Sequence, residues 1–396
     1  MQGSSTPRYD SIDLLRGLSV VAVVLAHCNS VLGSVGYTVG LGLPQWLHDA
    51  LFTNGGDGVS MFFAISGFLI TYISTRRFGT LGQLSLSTFY RTRFARIAPP
   101  LLLLLAVLSV LHLANFAPFR IQSPTASLSG MLFAAFTFQL NWYTAVHGFL
   151  PGYWTVLWSL SVEEMFYLFF PLLCVALLRK RQTAPAFPIV LICLLVLGHY
   201  ARSPAYTDNK VWMYQSYLGN IDKIALGCLF ALFANHLGSK PRASKASLAY
   251  GFSLTGAAVL LLSVIWEPSA VILGHHVPHL LGHTGVDVFA TCLIMLGCVL
   301  QPKPGTVLGS PLRWFGRHSY EVYLTHEFVV MGALTFFVRT SRELVPLWIC
   351  VVVALSGLGG YLLARFVSEP MNRILRGARR SPEGSAPRLL SRFTPS

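Results

Sequence analysis

LLRGLSVVAVVLAHCNSVL, residues Leu14–Leu32, is the stretch on which the fold turns. At about 1.5 Å per residue this run reaches roughly 28 Å as a helix, close to the depth of a bilayer's hydrocarbon core. Its one fixed charge, Arg16, stands near the start, and His27 stands deep inside. Apolar runs of similar character recur near residues 59–75, 97–115, 160–178, 186–200, 217–236, 248–266, 283–300, 319–338 and 344–366. Of the 396 residues 54% are hydrophobic and 11% charged, and mean hydropathy is +0.59, which excludes a soluble domain of this length. The predicted fold class is all-α, a polytopic transmembrane helical bundle of about ten spans.

One more run, Gly130–Val146, decides the orientation. If it does not cross, Arg76, Arg77, Arg91, Arg93, Arg96, Arg179–Arg181, Lys240, Arg242, Lys245, Lys303, Arg313, Arg317 and the basic C-terminal group share one side with Arg8 and Arg16. Only Arg120, Arg202, Lys210, Arg339 and Arg342 then remain opposite. That asymmetry predicts both termini in the cytoplasm and a re-entrant or surface helix over 130–146. Residues 9–373 form the membrane domain. Residues 374–396 are a basic tail too poor in apolar side chains to bury a core, and are expected to be disordered over anionic headgroups. The first run has no small-residue cleavage site and is read as a retained anchor.

The net charge of +14 reports orientation in a protein of this class, so nucleic acid is not an expected partner. The seven cysteines all lie in apolar runs without a CxxC, as small core residues. The histidines at 275, 276, 279 and 283 lack a diagnostic ligand spacing, and no metal is expected.

Arg16 and His27 are eleven positions apart, three helical turns, so they share a face with the imidazole about 16 Å deeper. An imidazole at that depth can take a proton from a hydroxyl and return it to a leaving group. Arg16 is read as paired with Asp13 or as facing an anion. Arg93 and Arg96 fall one turn apart just before Pro99-Pro100, which is read as opening the third span; two guanidiniums on one face make a fork for phosphate oxygens. Ser161 and Glu164 fit a capping box, which leaves Glu163, on one face with Tyr167, free to orient a histidine or an acceptor hydroxyl. Asp222 beside Lys223, and His326 beside Glu327, complete the polar groups at membrane depth; Asp222 and His326 are candidates for substrate contact.

These segments occur in an order that resembles the acyltransferase-3 family of integral membrane O-acyltransferases. The resemblance rests on Arg16 and His27 as its Arg-x10-His, Gly58–Ile70 as its second-span signature, and Arg93-x-x-Arg96 with Pro99. It continues in Trp158-Ser159-Leu160-x-x-Glu163-x-x-Phe166-Tyr167, Ser319-Tyr320-x-x-Tyr323-Leu324-x-His326 and Glu369-Pro370, covering about Tyr9 to Arg373. Ser60 stands where many members of that family have Asp.

The resemblance implies transfer of a short acyl group, acetyl first, from cytoplasmic acyl-CoA to a hydroxyl of a cell-surface glycan or glycolipid, in a bacterial inner membrane. In that reading Arg16, Arg93 and Arg96 hold the cofactor's phosphates and His27 and Glu163 are catalytic. Tyr167, Asp222 and His326 meet the substrate. Direct transfer with His27 as base and a transient acyl-histidine both remain open, as does assembly into a homo-oligomer. The competing reading is a proton-coupled transporter of a lipid-linked sugar or small metabolite.

Overall fold

The decisive stretch is helical from Asp10 to Ser34 (α1), with Asp10 and Asp13 in its first turn where the backbone dipole favours acids. The computed structural model describes residues 9–377 apart from 38, 40, 41, 54, 117, 118, 122, 149, 204, 205, 208, 239, 240, 266–282, 303, 304 and 338–341. Among the described residues every regular element is helical. After α1 come α2 (Gln45–Phe52), α3 (Gly55–Phe78), α4 (Leu86–Leu113), α5 (Leu128–Phe136), α6 (Leu140–His147), α7 (Gly152–Thr155) and α8 (Leu157–Leu178). The second half contains α9 (Ala186–Ala201), α10 (Lys210–Gln215), α11 (Leu218–Leu237), α12 (Arg242–Ile265), α13 (His283–Leu300), α14 (Ser310–Arg317), α15 (Ser319–Phe337), α16 (Val345–Leu363) and α17 (Glu369–Leu375).

Each of the ten predicted runs coincides with a helix over most of its length. Among the described residues, seven segments are long and apolar enough to cross a membrane, and α9 and most of α13 form shorter apolar helices. The outside of the bundle is greasy: Phe133, Val196 and Leu261 are 65%, 67% and 60% exposed, which suits lipid and not water. Most of the predicted tail, from 378 onward, lies outside the described residues, as do His275, His276, His279 and the side chain of His283.

Glycines set how closely the central helices approach. A Cβ on Gly17 would strike the carbonyl of Leu312, and one on Gly316 would strike that of Asp13, so α1 and α14 touch backbone to backbone. Gly67 and Gly227 do the same for α3 and α11, against Ile224 and Ala64. Small residues at such crossings let helices pack where lipid provides no hydrophobic drive. One side of α1, through Val20, Val24 and Cys28, then packs on Val322, Val330 and Val352 of α15 and α16.

Two expectations need correction. The 130–146 run is neither one span nor one helix: α5 and α6 are separate, nine and eight residues long, and break at Phe138, whose φ is +55°. At about 1.5 Å per residue neither approaches membrane thickness. Pro99-Pro100 does not open a helix; both lie inside α4, which begins at Leu86 behind a Ser85 cap that accepts from the Thr88 amide at 3.4 Å. The prolines free carbonyls one turn back, around Ala95 and Arg96, in the middle of the predicted phosphate fork.

Candidate active site

His27 lies on the face of α1 turned toward α15. Its Nδ1 is 2.8 Å from Glu327 Oε1 and 2.7 Å from His326 Nε2, and the two rings stack with centroids 4.9 Å apart. His326 Nδ1 faces the carbonyl of Tyr323 at 2.7 Å, an acceptor that requires the proton on that nitrogen. In a neutral His326 ring, Nε2 is then an acceptor too. Both groups before His27 Nδ1 therefore accept, which assigns the proton to Nδ1 and leaves Nε2 with its lone pair. Glu327 is 5% exposed and His326 fully buried, whereas the His27 side chain is 34% exposed. His27 lines a cavity of about 540 Å³ together with Ser30, Thr53, Gly56, Trp158, Tyr323 and Glu327. The arrangement is a carboxylate-oriented imidazole with one nitrogen available to a reactant, the geometry of a general base.

A second cavity, of about 150 Å³, lies toward the starts of α1 and α4 and brings together Arg16, Arg93, Arg96, Glu163 and Tyr167. Arg93 and Arg96 are one turn apart on α4, so both reach it. Arg93 lies over the Tyr167 ring at 4.3 Å. Glu163 accepts from Ser66 Oγ at 2.8 Å and from the Tyr167 hydroxyl at 3.3 Å. Among the described residues no carboxylate comes within 4.0 Å of these three guanidinium groups. Arg376, beyond the last helix, donates to the Thr92 carbonyl at 3.5 Å, and burial together with Arg96, Arg77 and Arg93 lowers its pKa. This end of the bundle therefore gathers several guanidinium groups that Glu163, in the same cavity, meets only at longer range, an arrangement that can receive a polyanion.

The two cavities share a wall. Val59 and Tyr323 line both, and the Tyr323 hydroxyl is held 2.7 Å from Ser159 Oγ and 3.2 Å from the Val156 carbonyl. Tyr323, His326 and Glu327 occur at i, i+3 and i+4 of α15, so one helical face carries the wall and the groups behind His27.

The structure thus unites the predicted Arg16, Arg93, Arg96, Glu163 and Tyr167, and keeps His27 apart from them. Glu163 is not beside His27; Glu327 holds that position. The sequence signal for Glu327 was His326-Glu327, two ionisable residues in succession within an apolar run. His326, predicted to meet substrate, is sealed behind His27. Asp222, also predicted to meet substrate, is closed in an ion pair with Arg202 at 2.7 and 2.6 Å, with Lys223 at 3.7 Å, and is not among the residues lining either cavity. Asp13 makes a direct contact with Arg317 at 3.6 Å, and its charge reaches Arg16 at longer range. The Ser161–Glu164 capping box is absent because α8 begins four residues earlier, and Ser161 Oγ donates to the Leu157 carbonyl at 3.0 Å.

A family model described as an acyltransferase domain matches residues 9–365. The chain is 26% identical over 382 residues to the peptidoglycan O-acetyltransferase OatA of Listeria monocytogenes, covering 92% of this chain and 56% of that protein. It is 24% identical over 386 residues to the O-acetyltransferase OatA of Staphylococcus aureus, covering 93% of this chain and 58% of that protein. The chain spans a little over half the length of these curated relatives. No solved structure matches it.

Proposed function

The chain belongs to the acyltransferase-3 family, and from that premise we propose that it moves a short acyl group, acetyl first, from acyl-CoA to a hydroxyl of a cell-envelope glycan or glycolipid. The peptidoglycan named for its Listeria relative makes a cell-wall glycan the leading acceptor. The observation that carries the reading is the pairing of two cavities across one wall. One is lined by three guanidiniums that make no direct ion pair among the described residues, the other by an imidazole whose Nδ1 is 2.8 Å from Glu327.

Arg16, Arg93 and Arg96 hold the phosphates of the donor, and the pantetheine arm extends along α1 through the roughly 16 Å that separate Arg16 from His27. The acceptor hydroxyl enters from the histidine cavity. His27 Nε2 takes its proton while the oxygen attacks the thioester carbon; Glu327 stabilises the imidazolium through Nδ1–H. The carbon–sulfur bond breaks, and the thiolate of CoA takes the proton back from Nε2. The products are the O-acyl ester and CoA, with His27 restored. Glu163, hydrogen bonded to Ser66 and Tyr167, orders the arginine cavity and positions Arg93 through the Tyr167 ring. About ten spans with both termini in the cytoplasm, in a bacterial inner membrane, put the arginine cavity on the side of the acyl-CoA pool and the histidine cavity on the side of the envelope.

Sidedness tests this reading. In sealed vesicles of one orientation, radiolabelled acetyl-CoA given on the arginine side should label a glycan given on the opposite side, and wild-type protein with donor and glycan both on the histidine side should label nothing. Equal labelling from either side would sink it.

A further inference from the structure

Coenzyme A is long, and the arginine cavity is small. Pockets that enclose a drug-sized ligand run about 300–1,000 Å³, whereas the cavity lined by Arg16, Arg93 and Arg96 has about 150 Å³. The adenosine end of the donor, which carries a 3′-phosphate apart from the pyrophosphate, therefore has to be held outside it. Two guanidiniums that line neither cavity stand at the same end of the bundle. Arg77 lies in the last turn of α3, a short connection away from the start of α4, and Arg376 follows α17. The chain passes through a π-helical turn over Ala364–Ser368, a backbone form that recurs at functional sites, and α17 then packs on α4. Arg376 Nη2 thereby reaches the carbonyl of Thr92, the residue before Arg93 and one turn before Arg96, at 3.5 Å.

Like charges thus converge on this spot from three elements. Arg77, Arg93 and Arg96 all act on Arg376, and among the described residues neither Arg77 nor Arg376 has a carboxylate within 4.0 Å. The one acid of α17, Glu369, faces Arg373 at 3.4 Å and Arg365 at 3.9 Å. Ser368 and Asn372, two turns and one turn before Arg376, each carry a buried side-chain oxygen with no hydrogen-bond partner among the described residues, so polar capacity is left along this edge. Arg376 itself remains exposed, within reach of an anion from the aqueous side. Resting on the acyl-CoA reading, we propose that Arg376, with Arg77 beside it, holds the 3′-phosphate at the adenosine end of the donor. The division of labour follows the length of the ligand: Arg16, Arg93 and Arg96 meet the pyrophosphate at the cavity, and Arg376 and Arg77 meet the outer phosphate at the helix ends.

The test uses the full chain in lipid nanodiscs of phosphatidylcholine and measures, by calorimetry, the Kd of CoA and of 3′-dephospho-CoA, which lacks only that phosphate. The readout is the ratio of the two constants, in which a general folding defect cancels. Wild type should bind CoA about tenfold more tightly. Arg376→Gln should bring the ratio to about twofold by weakening CoA alone, with the Kd of 3′-dephospho-CoA unchanged, and Arg376→Lys should keep most of the preference. A wild type indifferent to the phosphate, or a ratio in Arg376→Gln equal to that of wild type, would overturn the assignment and leave the acyl-CoA reading standing. Discs containing phosphatidylglycerol separate the donor's phosphate from a lipid's: the preference should be the same in them, and an Arg376→Gln effect confined to thermal stability in those discs would give Arg376 to the membrane surface and overturn the assignment. Binding of neither ligand to wild type would overturn the acyl-CoA reading and the assignment with it.

Discussion

Glu327 and Asp222 are two carboxylates at membrane depth, each facing a base, yet they do opposite things. Asp222 meets both ends of the Arg202 fork, at 2.7 and 2.6 Å, and Lys223 spends its remaining protons on Gly219 and Asn220 at 3.3 and 3.0 Å. Arg202 has no acceptor atom, so the cluster is closed on itself. Glu327 meets one nitrogen of His27, and the other nitrogen of that ring remains available beside a cavity. The lesson is that pairing alone does not mark a buried acid as structural or catalytic. What decides is whether its partner keeps an unused atom with chemistry left in it.

Substitutions can break or sharpen this contrast. Replacing His27 by Ala removes the only base in the histidine cluster with an open side, and acyl transfer in liposomes should fall about a thousandfold while the helical signal is retained. Activity near wild type would erase the distinction. Asp222→Ala leaves Arg202 buried without a counter-ion, held only by the Gly219 carbonyl, so thermal unfolding in detergent should show a loss of about 3 kcal/mol, with transfer per folded molecule within about twofold of wild type. Glu327→Gln keeps the shape but not the charge that stabilises the imidazolium; kcat should drop about thirtyfold with the donor KM unchanged, a split that a packing defect would not produce. Arg93→Ala is the mildest case, a cation whose acidic neighbours Glu163 and Glu164 make no direct ion pair with it. Binding of CoA, measured calorimetrically, should weaken about tenfold and lose part of its salt dependence.

The same contrast explains what could be read from the chain in advance. Helices were legible because apolar runs of span length have few alternatives in lipid. The Arg16–His27 register and the Arg93–Arg96 pair were legible because both depend on helical spacing alone. The partner of His27 was not, because it lies 300 positions away on α15, and no local rule selects Glu327 over Glu163. Glu327 follows a histidine and Glu163 stands one turn before a tyrosine, both in apolar runs; only the packing of Val20, Val24 and Cys28 onto α15 turns one of them toward His27. Asp222 looked like a substrate contact for the same reason, since Arg202 lies beyond the end of α9 and is brought to it by the packing of α9 on α11. The break at Phe138 escaped notice because a left-handed phenylalanine carries no sequence signature.

The clamp on Tyr323 has a consequence for the cell and not only for the reaction. Were donor and acceptor to enter from opposite compartments, as proposed above, the protein would be in outline a pore, and any continuous file of water through it would dissipate the proton gradient. A phenol ring pinned by Ser159 and a backbone carbonyl is a stopper that needs no moving domain. Passage of a thin organic arm would itself plug the hole it opens, so that membrane energisation survives each turnover.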